Sequence, residues 1–164
     1  MDASRKRSLG LPIALIVATV AWMSLTRFGP ADDLAALGTR PQLDVLAPYA
    51  GKVTLVNLFA TWCGPCIGEI PDIVKFQAAH PDIAVVGLQI ADPNGEPLDT
   101  FRARLAITYP LIDANDNLEV DRAFGATDVL PMSYLLDRTG TIVQTFTGRT
   151  RLTEFESALA TIAR

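Results

Sequence analysis

Two cysteines in this chain are spaced so that they can exchange a disulfide with another thiol. Cys63 and Cys66 are the only cysteines in the sequence, and Gly64 and Pro65 separate them. One thiolate can attack a partner's disulfide, and the second thiol is close enough to displace the mixed disulfide that forms. The pair follows an apolar run, 53–59, and precedes a helical pattern. A Cys-x-x-Cys at a strand-to-helix junction predicts a dithiol redox centre.

The two sulfurs should have different roles. Cys63 is predicted at an exposed helix N-terminus, where free N–H groups and the helix dipole stabilise a thiolate and lower its pKa from about 8.5 to roughly 3.5–7.5. Cys66 falls one turn inside the helix and should be less exposed. Cys63 is therefore the predicted nucleophile and Cys66 the resolving thiol. Pro65 suits the first helical turn, where its missing N–H costs little.

A structural disulfide and half of a zinc site are the alternatives to a redox pair. Zinc requires further cysteine or histidine ligands, and His80 is the only histidine in the chain. We therefore favour the redox interpretation and expect neither a metal nor a cofactor.

The elements that must position these residues alternate between strand and helix. Continuous apolar runs at 53–59 and 83–90 are typical of parallel strands buried on both faces. We interpret 92–95 as a plain turn, and we predict a capping box between Thr153 and Glu156 at the start of the last helix. The remaining predicted elements are helices at 65–79, 98–105 and 118–124, strands at 109–112, 132–136 and 141–146, and a C-terminal helix. This order predicts an α/β domain with a central mixed β-sheet flanked by helices.

The first 28 residues have the pattern of a membrane anchor. A basic cluster at 5–7 precedes an apolar stretch from 9 to 25, extending to Phe28. About 20 residues at roughly 1.5 Å each span a hydrocarbon core of roughly 30 Å. Because basic residues stay on the cytoplasmic side, residues 1–28 are predicted to be a cytoplasmic tail and a single-pass signal anchor in the cytoplasmic membrane. The alternative is a cleaved signal peptide, although no clear small-x-small cleavage site follows the stretch.

The rest of the chain is acidic. Residues 1–29 hold four of the 14 basic residues but one of the 18 acidic residues, so the remainder has a formal charge of −7. This balance argues against nucleic-acid binding and favours protein partners. Residues 29–50 are predicted to be a linker and N-terminal extension, with Leu43, Val45 and Leu46 docking onto a folded domain at 51–164. We expect a monomer.

Four segments of the chain resemble a known family. The segment 56–71 reads VNLFATWCGPCIGEIP and resembles the active-site segment of the thioredoxin superfamily, more narrowly that of the membrane-anchored TlpA/ResA-type thiol–disulfide oxidoreductases. Downstream, 109–113 (YPLID), 123–125 (AFG) and 130–137 (LPMSYLLD) resemble the same family in the same order. The similarity covers about residues 40–164 and implies a thioredoxin-like fold.

The resemblance implies a partner-binding surface around the cysteines. Trp62, Gly64 and Pro65 would face the partner, although simple packing is the alternative for Trp62. Pro131 would follow a cis peptide bond and face the cysteine pair, while the Leu130 backbone would pair with an extended partner peptide. The alternative for Pro131 is an ordinary proline at the start of a strand.

The resemblance also implies that Glu69, three residues after Cys66, lies near the redox centre. Burial would raise its pKa and allow it to take or return the proton of Cys66; the alternative is a solvated glutamate on a helix. Asn57 stands where thioredoxins have a buried aspartate. An amide cannot act as a base, so we predict a structural hydrogen bond for Asn57.

The function that the resemblance implies is disulfide reduction on the extracytoplasmic (periplasmic) side of the membrane. Client proteins would carry cysteine pairs, with apocytochrome c and copper-site proteins as candidates, and a transmembrane thiol reductase would supply electrons. The Gly-Pro between the cysteines favours a reducing poise. A disulfide-forming oxidant and a non-catalytic binding module are the alternatives.

Overall fold

The computed structural model describes residues 43–125 and 129–162. The elements, in chain order, are a 3-10 helix (Asp44–Tyr49), β1 (Thr54–Phe59), α1 (Gly64–Ala79), β2 (Ala84–Gln89), α2 (Leu98–Leu105), β3 (Leu111–Asp113), α3 (Leu118–Phe124), β4 (Met132–Leu136), β5 (Ile142–Thr147) and α4 (Leu152–Ile162). The predicted alternation of strands and helices is confirmed, with element ends shifted by one or two residues.

The five strands form one mixed sheet in the order β3-β2-β1-β4-β5. The central strand β1 runs parallel to β2 and antiparallel to β4, and β2 runs parallel to β3. All six residues of β1 are buried, as its continuous apolar sequence predicts. Because β1, β2 and β3 are parallel, their carboxyl ends meet at one edge of the sheet, where α1 begins.

The side chains of β1 alternate between two apolar cores. Leu55 and Phe59 belong to the core that includes α1, α2 and α4, whereas Val56 and Leu58 belong to the core that includes α3. This period of two follows from the pleat of a strand. Asn57 shares the pleat face of Leu55 and Phe59, which directs its polar side chain towards α1. The predicted α/β class with a mixed sheet and helices on both faces is confirmed.

The N-terminal extension docks where the sequence predicts. Leu43 is buried in the core beneath α3, and Val45 and Leu46 pack against the same core. The predicted anchor at 1–28 and residues 29–42 of the predicted linker lie outside the described residues. Among residues 43–125 and 129–162, no helix is both long and apolar enough to cross a membrane.

The predicted capping box of the last helix is wrong by two positions. The helix α4 begins at Leu152, and the N–H of Arg151 donates to Glu154 Oε2 at 2.8 Å. Thr153 lies inside the first turn, so Glu154 rather than Glu156 closes the helix start. The helix α1 ends at Ala79, as predicted, and the N–H of His80 donates to the carbonyl of Phe76.

Candidate active site

The cysteine pair lies where β1 passes into α1. Cys63 is the N-cap residue of α1, and its side chain is joined by a disulfide to Cys66, with the Cα atoms 5.2 Å apart. The N–H of Cys66 donates to Cys63 Sγ at 3.2 Å. A donor from the first helical turn therefore points at the sulfur on which a thiolate would form, which favours that thiolate. The predicted strand-to-helix position of the motif is confirmed.

The predicted exposure of Cys63 is wrong for this oxidised form. Cys63 is 3% exposed and Cys66 is 1% exposed, and both belong to the core on the α1 side of the sheet. This core is assembled from α1, α2 and α4 on one face of the sheet. The exposed positions beside the disulfide are Gly64, Pro65 and Trp62.

Trp62 is a surface residue that is nevertheless fixed. The side chain is 66% exposed, so packing into the core does not account for it. The indole Nε1 donates to the carbonyl of Ala91 at 3.2 Å, which limits its rotation. A large apolar surface is thus held beside the disulfide, as recognition of a partner would need.

The Leu130–Pro131 peptide bond is cis, which confirms that part of the prediction for Pro131. Met132 pairs with Leu58, so this bond lies level with the end of β1 that leads to Cys63. The Pro131 carbonyl accepts a hydrogen bond from the N–H of Gly148 at 2.9 Å. In the described part of the chain, no backbone hydrogen bond involves Leu130, so its backbone can pair with an added strand.

Glu69 is a buried acid on the sheet-facing side of α1. Its side chain is 0% exposed, which excludes the solvated alternative. Glu69 Oε1 accepts from the N–H of Thr150 at 2.9 Å, and Oε2 accepts from Asn57 Nδ2 at 3.0 Å. Burial raises the pKa of Glu69 to about 7, although the hydrogen bonds from Thr150 and Asn57 oppose the rise. The carboxyl group can therefore take up or release a proton near neutral pH.

Asn57 has the structural role that the sequence predicts. Its Nδ2 donates both to Glu69 and to Ser133 Oγ, each at 3.0 Å. The amide connects α1 to β4 beneath the redox centre. Because it cannot bind a proton at neutral pH, Glu69 is the titratable member of this group.

The interpretation of 92–95 as a plain turn missed a buried carboxylate. Asp92 Oδ2 accepts from the N–H and the hydroxyl of Thr61, both at 2.6 Å, and from Gln89 Nε2 at 3.0 Å. The loop borders a cavity of about 430 Å³ lined by Trp62 and residues 91–96, among others. The sequence position of Asp92 could have indicated a role at the site, because Asp92 follows β2, the parallel neighbour of the strand that leads to the cysteines.

In the described part of the chain, no three histidine, cysteine, aspartate or glutamate residues cluster as possible metal ligands. A disulfide at the start of a helix opens and closes by exchange with other thiols. On this mixed sheet, that chemistry defines the class: a thioredoxin-like thiol–disulfide oxidoreductase. The chain belongs to the Redoxin family, whose model matches residues 26–162.

Relatives and solved structures agree with this class. The thiol-disulfide oxidoreductase ResA of Geobacillus kaustophilus is 28% identical over 165 aligned residues, which cover 92% of this chain and 91% of that relative. The thiol:disulfide interchange protein CycY of Rhizobium leguminosarum is 34% identical over 69% of this chain and 60% of that relative. The predicted resemblance to ResA-type enzymes is confirmed.

Two crystal structures show the same fold. A thiol:disulfide interchange protein of the thioredoxin family from Chlorobium tepidum has a TM-score of 0.62 and 29% identity, covering 73% of this chain and 85% of that one. StoA from Bacillus subtilis has a TM-score of 0.59 over 68% of this chain and 85% of that one. Its 23% identity supports the fold alone.

Proposed function

We propose that this protein is held in the cytoplasmic membrane by its N-terminal helix and reduces disulfides of client proteins on the extracytoplasmic side. The observation that carries the exchange reaction in this proposal is the buried acid Glu69, three residues along α1 from Cys66. A buried resolving thiol needs a nearby proton acceptor, and a group with a pKa of about 7 can serve at neutral pH. This acid supports active exchange over a module whose cysteines only hold shape.

The proposed reaction has two exchange steps. The Cys63 thiolate attacks a client sulfur, the client S–S bond breaks, and the client's other sulfur leaves as a thiolate that takes a proton from water. Cys66 then gives its proton to the Glu69 carboxylate and attacks Cys63 Sγ. The second client thiolate leaves and receives that proton. The client has gained two electrons, and the protein now holds the Cys63–Cys66 disulfide.

The exposed surface around the disulfide supports client docking. Trp62, Gly64 and Pro65 present the partner-facing surface. Leu130, next to Pro131, makes no backbone–backbone hydrogen bond within the described part of the chain, and we propose that it pairs with an extended client segment. Pairing through main-chain hydrogen bonds does not depend on the client's side chains, so one site can bind clients of different sequence.

The cellular setting is proposed from the sequence. The apolar stretch 9–28 behind a basic cluster supports a single-pass anchor with residues 51–164 outside the cytoplasm. Client candidates are proteins with cysteine pairs, such as apocytochrome c or copper-site proteins. A transmembrane thiol reductase would return the Cys63–Cys66 pair to its dithiol form.

A trapping variant tests the proposal. Cys66→Ala removes the resolving thiol, so clients should accumulate as mixed disulfides on Cys63 in membranes and be released by dithiothreitol. The matched control is the double variant in which Cys63 is also alanine, and it should capture none. An empty trap would overturn the proposal if Cys63 in the same preparation still reacts with iodoacetamide, since the nucleophile would then be intact and have no client.

A further inference from the structure

The loop between β2 and α2, residues 90–97, is hydrogen-bonded to Thr61 and Trp62, the two residues that precede Cys63. The carboxylate of Asp92 accepts hydrogen bonds from the N–H and the hydroxyl of Thr61. The Thr61 hydroxyl in turn accepts from the N–H of Glu96 at 3.0 Å, and the Trp62 indole donates to Ala91. Four hydrogen bonds therefore connect the segment that carries the nucleophile to this loop.

Asp92 is the centre of this arrangement. Its side chain is buried, and one carboxylate oxygen accepts all three of its side-chain hydrogen bonds. Bonds to a charged acceptor are the shorter and stronger kind. Burial alone would raise the pKa of Asp92, but the hydrogen bonds from Thr61 and Gln89 outweigh it and hold the pKa below its ordinary value. The carboxylate is therefore charged at neutral pH.

The backbone of Asp92 is hydrogen-bonded to Asn115, which follows β3, the third parallel strand. Its N–H donates to Asn115 Oδ1 at 2.7 Å, and Asn115 Nδ2 donates to the Asp92 carbonyl at 3.2 Å. Asn115 Nδ2 also bonds Asp113, the last residue of β3, at 2.8 Å. The ends of β1, β2 and β3 are thus connected in series by side chains.

We propose that Asp92 is a positioning residue for thiol exchange. By fixing Thr61 and Trp62, it presents the Cys63 sulfur to an incoming disulfide in one orientation and keeps the indole as a wall of the adjacent cavity. Asp92 does not touch the reacting sulfur. The role belongs to the exchange reaction itself, so it applies whether a client is reduced or oxidised.

The physical reason is the geometry of the exchange. Three sulfurs must approach a line for one to displace another, and a misplacement of about 1 Å can cost up to about 10²-fold in rate. Without the carboxylate, the buried donors of Thr61 and Gln89 lose their acceptor, and leaving such donors unpaired is unfavourable. The loop and the residues before Cys63 would then sample several arrangements, of which one is reactive.

The test follows the rate at which Cys63 alone reacts. In the full chain, Trp22→Phe leaves Trp62 as the only tryptophan, and Cys66→Ala leaves Cys63 as the only thiol. In this background, Asp92→Ala should slow mixed-disulfide formation with a small aromatic disulfide about tenfold. It should also speed the decay of Trp62 fluorescence anisotropy. Asp92→Asn retains an oxygen acceptor and should recover most of both losses.

Asp137→Ala is the matched control. Asp137 also accepts two backbone N–H groups and a hydroxyl, those of Thr139 and Thr141, in the β4–β5 turn at the other end of the sheet. It should leave the Cys63 rate within about twofold, whatever stability it loses. If Asp92→Ala does not fold, Thr61→Val against Thr61→Ser carries the same test, since only serine keeps the hydroxyl. Equal rates and equal anisotropies within these pairs would overturn the proposal.

Discussion

Replacing Cys63 by serine should abolish disulfide exchange, whereas replacing Cys66 by serine should abolish only turnover. Both variants should lose at least about 10³-fold in steady-state insulin reduction, because the two sulfurs act as a unit. They should differ in a single turnover. Cys66→Ser keeps the N-cap thiolate that Cys63 forms, so it should release one equivalent of thiol from an aromatic disulfide near neutral pH.

The comparison assigns the nucleophile directly. Cys63 is the N-cap of α1 and Cys66 lies inside its first turn. We therefore expect reduction to leave the Cys63 sulfur at the helix start and Cys66 inside the helix. Cys63→Ser should therefore release almost no thiol on the same timescale. Both variants lack the disulfide, so each serves as the other's control for lost stability. A fast reaction of Cys63→Ser and a slow one of Cys66→Ser would reverse the assigned roles.

Replacing Glu69 by glutamine should remove a large pH dependence of stability in the oxidised protein. The folded-state pKa of Glu69 is raised from 4.5 to about 7 by burial, so between these values the folded state binds more protons than the unfolded state. Stability should therefore fall as pH rises through this window. At about 1.4 kcal/mol per pH unit, the loss is about 3 kcal/mol.

Urea unfolding at pH 4.5 and pH 7.5 measures this effect. Glu69→Gln has no titrating group at the position, and its difference between the two pH values should be smaller than that of the wild type by about 3 kcal/mol. Glu156→Gln, on the exposed side of α4, is the matched control and should keep the wild-type difference. A wild-type pH dependence in Glu69→Gln would show that this carboxyl group does not titrate in the window.

The same variant tests proton transfer during exchange. If Glu69 accepts the Cys66 proton, Glu69→Gln should slow release of the mixed disulfide by about 10²-fold at pH 7, the lower end of the range for general acid–base catalysis. The attack by Cys63 should be nearly unchanged. This separation of the two steps distinguishes a proton carrier from a residue that only supports the fold.

The strands and the cysteine motif could be predicted from the sequence because each depends on residues that are close together in the chain. The apolar runs of β1 and β2 and the Cys63–Cys66 spacing depend on neighbours in sequence. The sequence also placed Glu69 on the correct helix.

The contacts that define the environment of the site could not be predicted in this way. The acceptor for Thr61 is Asp92, 31 residues away in sequence. The N–H that donates to Glu69 belongs to Thr150, 81 residues away. Such partners are brought together by the register of the sheet and by loop paths. The burial of Cys63 was missed for the same reason, since the core that covers it is assembled from distant elements.

The reduction potential of the Cys63–Cys66 pair tests the central claim most directly. Equilibration of the full-length protein with glutathione buffers gives the value, and alkylation of the free thiols reports the dithiol fraction. A reductase of client disulfides should lie near thioredoxin, at about −270 mV, and below a glutathione poise of about −220 mV. About 30 mV corresponds to a tenfold change in the equilibrium, so the outcomes are well separated. A value near about −120 mV, as in the oxidant DsbA, would contradict the reductase account.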